Sequence, residues 1–571
     1  MFRLGDARIG AALSQAAGVS ELTGRLLAAR GVEPQSVGDF LAPSLRALMP
    51  DPATLADMDR AAARIAEAVR RGERVAVFGD YDVDGACSTA LLCRWLGGLG
   101  VVAEPYIPDR ALEGYGPSAA ALGRLAERGA SLILCVDCGT AGEEAIATVA
   151  GRADVVVLDH HAVDTLPRSA LAVVNPNRPD DGSGLGSLCA AGVALMTAVA
   201  TNRVLRRSGQ FGDRPPPDLL GLLDLVALAT VCDVMPLRGL NRAFVAQGLK
   251  VLGQGARPGL AALAEVAALR NPPDAWSLGY VFGPRINAGG RIAQADLGVK
   301  LLLTDDRAEA RRLAETLEQV NRQRREIEGG MLAEALAEAE QQMGRGASVL
   351  VVAREGWHPG VIGIIAGRLR ERFNRPAFAL AIEGEVAKGS ARGVPGLDLG
   401  ASVIAARQAG LLERAGGHAA AAGFALPAHG IAALRAFLEG RLAAAAELPR
   451  SADLALDGMV SVEAATAGLA EEVARLAPFG AAHPEPVFAL RGARIGKAER
   501  IGTDRSHVRV FLSGETGGRL RGIAFRCGES ALGALLLEAA GRAVHLAGHL
   551  RLEQWGGMER LGLVIVDAAW A

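Results

Sequence analysis

Within residues 74–92, RVAVFGDYDVDGACSTALL, an apolar run ends in Asp80, Asp82 and Asp84, three carboxylates on alternate positions. Like charges this close cost free energy unless a cation or strong hydrogen-bond donors compensate them. A second apolar run, SLILCVDCGT, ends at Asp137, and a third, ADVVVLDHH, ends at Asp159, His160 and His161. Together they form a mixed carboxylate and imidazole ligand set. Hard oxygen donors suit Mg2+ or Mn2+, and added imidazoles tilt the choice toward Mn2+. Two such ions about 3.5–4 Å apart, sharing a bridging carboxylate, would serve phosphoester hydrolysis. One lowers the pKa of the attacking water, and both stabilise an in-line displacement. Each piece alone has a plainer role: Asp84 before Gly85 or Asp137 as a helix N-cap, and the Asp-His-His triplet as a turn. Three successive runs that all end in ligand-type residues favour the shared site.

The elements that must position these residues follow from periodicity. Apolar runs alternate with helical patterns such as AGEEAIATVAG, which predicts an open parallel α/β sheet. Ligands of such sheets gather beyond the carboxyl ends of the strands, where all the acids would converge. Before this unit, residues 21–72 read as short helices closed by Gly31 and Gly72. After it comes a helical region, broken by RPPPD, in which Asp233 follows the long apolar stretch of DLVALATVCDVMPL. Residues 305–343 form one charged amphipathic pattern, expected to be a mostly solvated connector helix. A second α/β unit starts at ASVLVVAREGWHPG. From about residue 451 the pattern changes to short strands joined by Gly and polar turns, which suits a small β-barrel. The expected division is 1–70, a helical segment packing on the catalytic domain; 71–304, the parallel-sheet domain; 305–345, the connector; 346–450, the second α/β domain; and 451–571, the barrel.

Composition narrows the class. A chain of 571 residues, half of them apolar, is globular and too long for one core. A net charge of −2 leaves any nucleic-acid contact to local patches. Positive charge is nearly all Arg, since the only lysines are Lys250, Lys300, Lys388 and Lys497. Seven scattered cysteines suit a reducing cytoplasm, and Cys135 and Cys138 lack a second pair for structural zinc. The N-terminus lacks the pattern of a signal peptide, and no apolar run reaches membrane-spanning length.

DYDVDG, VDCGT, LDHH and ATVCDVMPL match, in order and spacing, the motifs of the DHH phosphoesterase superfamily. GPRINAGGR, GWHPGVIGIIAGRL, KGSARGVPGLDL, GGHAAAAGF and LAPFGAAHPEPVF resemble further motifs of its RecJ family of single-strand-specific exonucleases. The resemblance implies a DHH domain, a DHHA1-type second domain and an oligonucleotide-binding (OB-type) barrel. It also implies hydrolysis of single-stranded DNA, 5′ to 3′, to 5′-mononucleotides with two Mn2+ or Mg2+ ions, in repair and recombination. By position, the metal ligands would be Asp80, Asp82, Asp84, Asp137, His160 and Asp233. His161 would face the phosphate, with Asp159 orienting an imidazole. Arg285, Asn287 and Arg291 would bind phosphate or the strand. His358, Ser390, Arg392, His418 and the backbone of Gly416 and Gly417 would line the opposing cleft. A monomer acting beside a helicase and a single-strand-binding protein is the expected setting, with no membrane.

Two departures stand out. Gly393 replaces a family serine, and Ala482 and His483 replace glycine and asparagine before PEP, with consequences expected for barrel docking. Rival functions are an oligonucleotide or cyclic-dinucleotide phosphodiesterase or a pyrophosphatase, which lack the barrel, and an inactive scaffold, which would have lost ligands. Barrel aromatics Phe479, Phe488, Phe511, Phe525 and Trp555 could stack bases or form core.

Overall fold

The computed structural model describes residues 2–110, 112–449, 453–555 and 558–571, without the side chains of 553–558. Five strands, β1 (Val75–Phe78), β2 (Ala103–Tyr106), β3 (Leu132–Val136), β4 (Asp154–Leu158) and β5 (Ala172–Val174), form an all-parallel sheet ordered β2-β1-β3-β4-β5. β1 and β3 are buried along their whole length, as continuous Val/Leu/Ile runs covered on both faces require. Strand order reverses between β1 and β3, so a crevice opens at their carboxyl ends.

Asp82, rather than Asp84, caps the helix Val83–Gly98; its side chain accepts from the N–H groups of Asp84 (2.8 Å) and Gly85 (3.2 Å). Asp84 lies inside the first turn and accepts from Ala190 N (2.6 Å) and Ala191 N (2.9 Å) of the helix Ala190–Arg207. A Cβ on Gly85 would lie 2.3 Å from Asp80 O, so this tight return of the chain demands glycine.

The connector helix Arg307–Gly344 starts at Asp306, whose carboxylate accepts from Glu309 N. Its 38 residues span about 57 Å. It is less solvated than its charge pattern predicts. Ala310, Leu313, Ala314 and Leu317 enter the core of the parallel-sheet domain, and Met331, Ala335, Ala339 and Met343 enter that of the next domain. The helix therefore fixes one domain against the other.

That second domain holds β6 (Leu350–Glu355), β7 (Ala377–Glu383), β8 (Val386–Arg392), β9 (Arg414–His418) and β10 (Ala421–Pro427). Their order is β6-β7-β8-β10-β9; β6–β7 is parallel, the other pairings are antiparallel, and β9 is an edge. The C-terminal unit adds β11 (Gly458–Val460), β12 (Phe488–Ile501), β13 (His507–Ser513), β14 (Arg519–Ala524), β15 (Ala543–Trp555) and β16 (Met558–Trp570). A β12–β15 pairing closes the ring β12-β13-β14-β16-β15 into a barrel. Its strands are not all short: β12, β15 and β16 have 14, 13 and 13 residues. Positions that read as turns in sequence are partly register shifts within long strands, such as the one at Ala547/Gly548, where bulges bend a strand without ending it.

Residues 1–70 do not pack as one body on the parallel-sheet domain. Leu13, Leu26, Leu27 and Val37 join the barrel's core with Phe488 and Val544, whereas Leu55, Met58, Ile65 and Val69 join the parallel-sheet core. Polar ties repeat the division: Arg3 pairs with Asp457 (2.8 Å), and Ser20 and Thr23 donate to Glu472 (2.6 and 2.7 Å). The amphipathic pattern shows that these helices need an apolar partner and carries no information about which one. Among the described residues no helix is long and apolar enough to cross a membrane, and all seven cysteines are free.

Candidate metal centre

Chain exits from β1, β3 and β4 bring the acids together. The donor atoms of Asp80, Asp82 and Asp137 lie within 4.8 Å of one another, as do those of Asp84, His160 and Asp233, and those of Asp137, His160 and His161. Asp137 thus adjoins both carboxylate groups. Around His160 Nε2, carboxylate oxygens of Asp137, Asp233 and Asp84 stand at 3.2, 3.5 and 3.8 Å. Neighbouring ligands of an ion with bonds near 2.1 Å stand about 3 Å apart in octahedral geometry, so the spacing suits a cation among them. Among the described residues, His160 Nε2, Asp80 Oδ1 and Asp233 Oδ2 are buried with no hydrogen-bond partner. Unpaired polar atoms in such a place are costly, and divalent ions bound in the two groups would satisfy them. The donor set fits Mn2+ or Mg2+.

The backbone is strained at two of the candidate ligands. Asp137 has φ 59° and Val234, directly after Asp233, φ 58°. A β-branched residue at positive φ is costly, and such strain clusters at functional sites.

Electrostatics agree with a site suited to positive charge. Burial, reinforced by Asp84, Asp82, Asp80 and Asp233, pushes the Asp137 carboxyl well above its usual range. Burial and then Asp82 do the same to Asp80, and burial with Asp84 and Asp82 raises Asp233 to about 8. Burial lowers His160. His161 behaves oppositely: burial opposes its protonation, yet the hydrogen bond to Asp159 raises it to about 9.

Asp159 serves as an orienting carboxylate. Its Oδ1 accepts from His161 Nδ1 (2.7 Å) and from the backbone N–H groups of His160 (2.7 Å) and His161 (3.2 Å). Its Oδ2 accepts from the N–H (3.1 Å) and hydroxyl (2.6 Å) of Thr140. Sequence reasoning missed Tyr115, whose hydroxyl donates to Asp137 O (3.1 Å) and whose ring lies edge-on to His161. It also missed Arg110, stacked 5.1 Å over the Tyr81 ring. Both sit in the loop after β2, which has no motif of its own.

Candidate substrate residues divide into two sets. Arg285 is committed elsewhere: its Nε donates to Glu318 (2.6 Å) and its Nη1 to Val281 O (2.8 Å), locking the helix Gly283–Ile292 to the connector. Asn287 Oδ1 accepts from Val83 N (3.2 Å), bracing the Asp82–Asp84 turn from below. A Cβ on Gly290 would meet Tyr81 O at 2.5 Å, which explains how that helix comes so near. Both residues support the centre from behind.

Arg291 and the candidates of the second domain form the other set. Arg291 donates to Gly360 O (3.1 Å), and burial, together with Arg110, Arg324 and Arg392, lowers its pKa to about 10. Arg392 Nη1 donates to Ser390 Oγ (3.3 Å) beside Gly363, in the first turn of the helix Ile362–Phe373. His358 Nδ1 accepts from Gly360 N (3.1 Å). Burial lowers His418, and the charges of Arg392 and then His161 add to the effect. Gly416 and Gly417 lie on the exposed edge strand β9.

The two departures have physical reasons. A Cβ at Gly393 would stand 2.6 Å from Ala419 O, leaving no room for serine without a shift. His483 is 2% exposed, stacked on Phe479 (5.3 Å) and edge-on to Phe40 (5.4 Å), with Nε2 2.8 Å from Leu476 O. The Arg242 guanidinium donates to Leu476 O, Ala477 O and Pro478 O and lies 4.2 Å over the Phe40 ring. His483 thus belongs to the joint between barrel and parallel-sheet domain. Of the aromatics, Phe488 is barrel core, Phe479 is in this joint, and Phe511 and Phe525 are exposed; the Trp555 side chain lies outside the described residues.

Comparison with known proteins matches three segments of the chain. Residues 74–230 match the DHH family N-terminal domain, 346–444 the DHHA1 domain and 456–567 the RecJ OB domain. The chain is 36% identical over 562 residues to the single-stranded-DNA-specific exonuclease RecJ of Escherichia coli, covering 96% of this chain and 95% of that one. It is 33% identical over 560 residues to the Bacillus subtilis protein of the same name, covering 96% and 68%. The crystal structure of Thermus thermophilus RecJ in complex with Mn2+ superposes with a TM-score of 0.82 at 32% identity, covering 100% of this chain and 78% of that one. A Mg2+ complex of the same protein gives 0.76, covering 99% and 77%. With all three domains matched in order and relatives aligned over nearly the whole chain, the chain belongs to the RecJ family of the DHH phosphoesterases.

Proposed function

We propose that the protein hydrolyses single-stranded DNA from its 5′ end, releasing 5′-mononucleotides. The observation that carries this is the convergence of two carboxylate groups on Asp137, beside an arginine cluster, Arg110, Arg291 and Arg392, drawn from both α/β domains. Asp80, Asp82, Asp84, Asp137, His160 and Asp233 would hold two ions, with Asp137 reaching both. The chemistry such ions supply when bound is a lowered pKa for attacking water and charge neutralisation in an in-line displacement. His161, kept protonated near neutrality by Asp159, donates toward the phosphate oxygens. Arg291, Arg392 and Ser390, the first turn of the helix Ile362–Phe373 and the edge backbone at Gly416 and Gly417 receive the terminal phosphate. A pocket for the strand's end favours trimming over internal cutting.

The connector, packed into both domains, holds the passage between them at a fixed width. A single strand threads it; a duplex about 20 Å across is excluded, so a helicase and a single-strand-binding protein are natural co-workers in cytoplasmic repair and recombination, with the enzyme itself a monomer. Phosphate contacts dominate, so cutting is nearly independent of sequence and weakens steeply with salt. Hairpins with a 5′ or a 3′ single-stranded tail test this reading. Expected is mononucleotide release from the 5′ tail alone, stopping near the junction. Digestion of the 3′ tail, or passage through the paired stem, would overturn it.

A further inference from the structure

A groove of about 1500 Å³ runs between the parallel-sheet domain and the barrel, well above the roughly 300–1,000 Å³ of a site for one small molecule. One wall is Val231 to Met235 without Asp233, so it continues directly from a metal ligand. Val234 stands there 70% exposed. The other wall is the joint segment near Phe479 and Leu550 and Leu552 of β15. Between them the floor carries Trp276 and Tyr280, which are 54% and 69% exposed with rings stacked at 5.5 Å and 26°.

This pair is held in place. Asp274 and Ser277 form a reciprocal capping box, and a π-helical turn, Leu278–Phe282, follows. Leu278 and Phe282 are wholly buried on the opposite side, anchoring the turn while it presents the aromatics outward. π-turns recur at functional sites, and two large rings kept stacked in water lose apolar burial without return unless something covers them.

We infer that Trp276 and Tyr280 form a base-stacking platform for the single strand between barrel and metal centre, a positioning element for the exonuclease reaction proposed above. The occupant follows from continuity: the groove joins a metal ligand at one end to the barrel at the other. Stacking on aromatics is tolerant of sequence because every base has a π face. The arginine-lined cleft grips phosphates at the strand's end, and this platform grips bases further along.

The test uses the full chain with Mn2+ and oligothymidylate strands carrying one abasic site at successive positions. Wild-type protein should show one narrow position where the abasic site raises KM about 5- to 100-fold with kcat little changed. The Trp276→Ala/Tyr280→Ala variant should show a raised KM for intact strands and no further response to the abasic site. Trp276→Phe/Tyr280→Phe should restore the position-specific response. A wild-type profile retained in the alanine variant, or simple additivity of the two losses, would overturn the platform, as would binding of a peptide but not a strand in the groove. Should the alanine variant misfold by circular dichroism, 2-aminopurine scanned along the strand on wild-type protein replaces it. A quenched position at the same register supports the platform, and uniform emission along the strand overturns it. Failure of wild-type protein to degrade intact strands would strike the exonuclease reading instead, so the two are separable.

Discussion

Asp137→Asn should make the metal-free protein more stable while removing its response to metal. Donor atoms of Asp80, Asp82 and Asp137 lie within 4.8 Å, and two unit charges at that distance repel by about 3 kcal/mol at an effective dielectric near 20. Burial and its acidic neighbours raise the Asp137 pKa well above the usual range, so protonation relieves part of this repulsion. The gain from removing the charge therefore lies below that figure. The asparagine keeps the shape and loses the charge. For a domain of about 150–250 residues each kcal/mol of gain raises Tm by about 2–4 °C. The assay is thermal unfolding of wild type and variant in EDTA and in saturating Mn2+. In EDTA the variant should melt higher; in Mn2+ wild type should rise steeply and the variant hardly at all. A variant that melts at or below wild type in EDTA, yet gains as much from Mn2+, would refute the crowded-charge explanation and the placing of Asp137 between two ions.

Other outcomes follow from the same contacts. His483, neutral between Phe40 and Phe479, has its pKa lowered to about 4, chiefly by burial, against about 6.5 unfolded. Its contribution is complete above pH 6.5 and lost as pH falls toward 4, at most about 3 kcal/mol; His483→Asn should abolish that acid limb in pH-dependent melting. Arg285→Ala should cost about 1–3 kcal/mol of stability, seen in melting, with KM for DNA little changed, because its partner Glu318 retains Arg322 at 3.1 Å. Removing residues 451–571 alone should give an aggregating protein on size-exclusion chromatography, because Leu13, Leu26 and Leu27 lose their core; removing residues 1–31 as well should restore a compact particle.

Much of the centre is legible in sequence because its logic is local. Each ligand group directly follows a buried strand or helix, so apolar runs and their terminal acids identify it together. What sequence hid is tertiary. Nothing in DYDVDG reveals that Asp82 caps while Asp84 reaches the helix Ala190–Arg207. Arg285 and Asn287 sit in a motif beside Arg291, yet helical rotation turns Arg285 to the connector and Asn287 to Val83. Residues 1–37 read as helices, but their amphipathic faces fit any apolar neighbour; the barrel claims them through contacts more than 400 positions away. Trp276 and Tyr280 carried no signal, because exposure is invisible in a pattern of residue types.

Anomalous scattering from a crystal soaked in Mn2+ examines the centre most directly. Two peaks are expected about 3.5–4 Å apart, one among Asp80, Asp82 and Asp137, the other among Asp84, His160 and Asp233, with Asp137 touching both. A single peak, or one bound through His161 in place of the carboxylates, would contradict the two-ion centre.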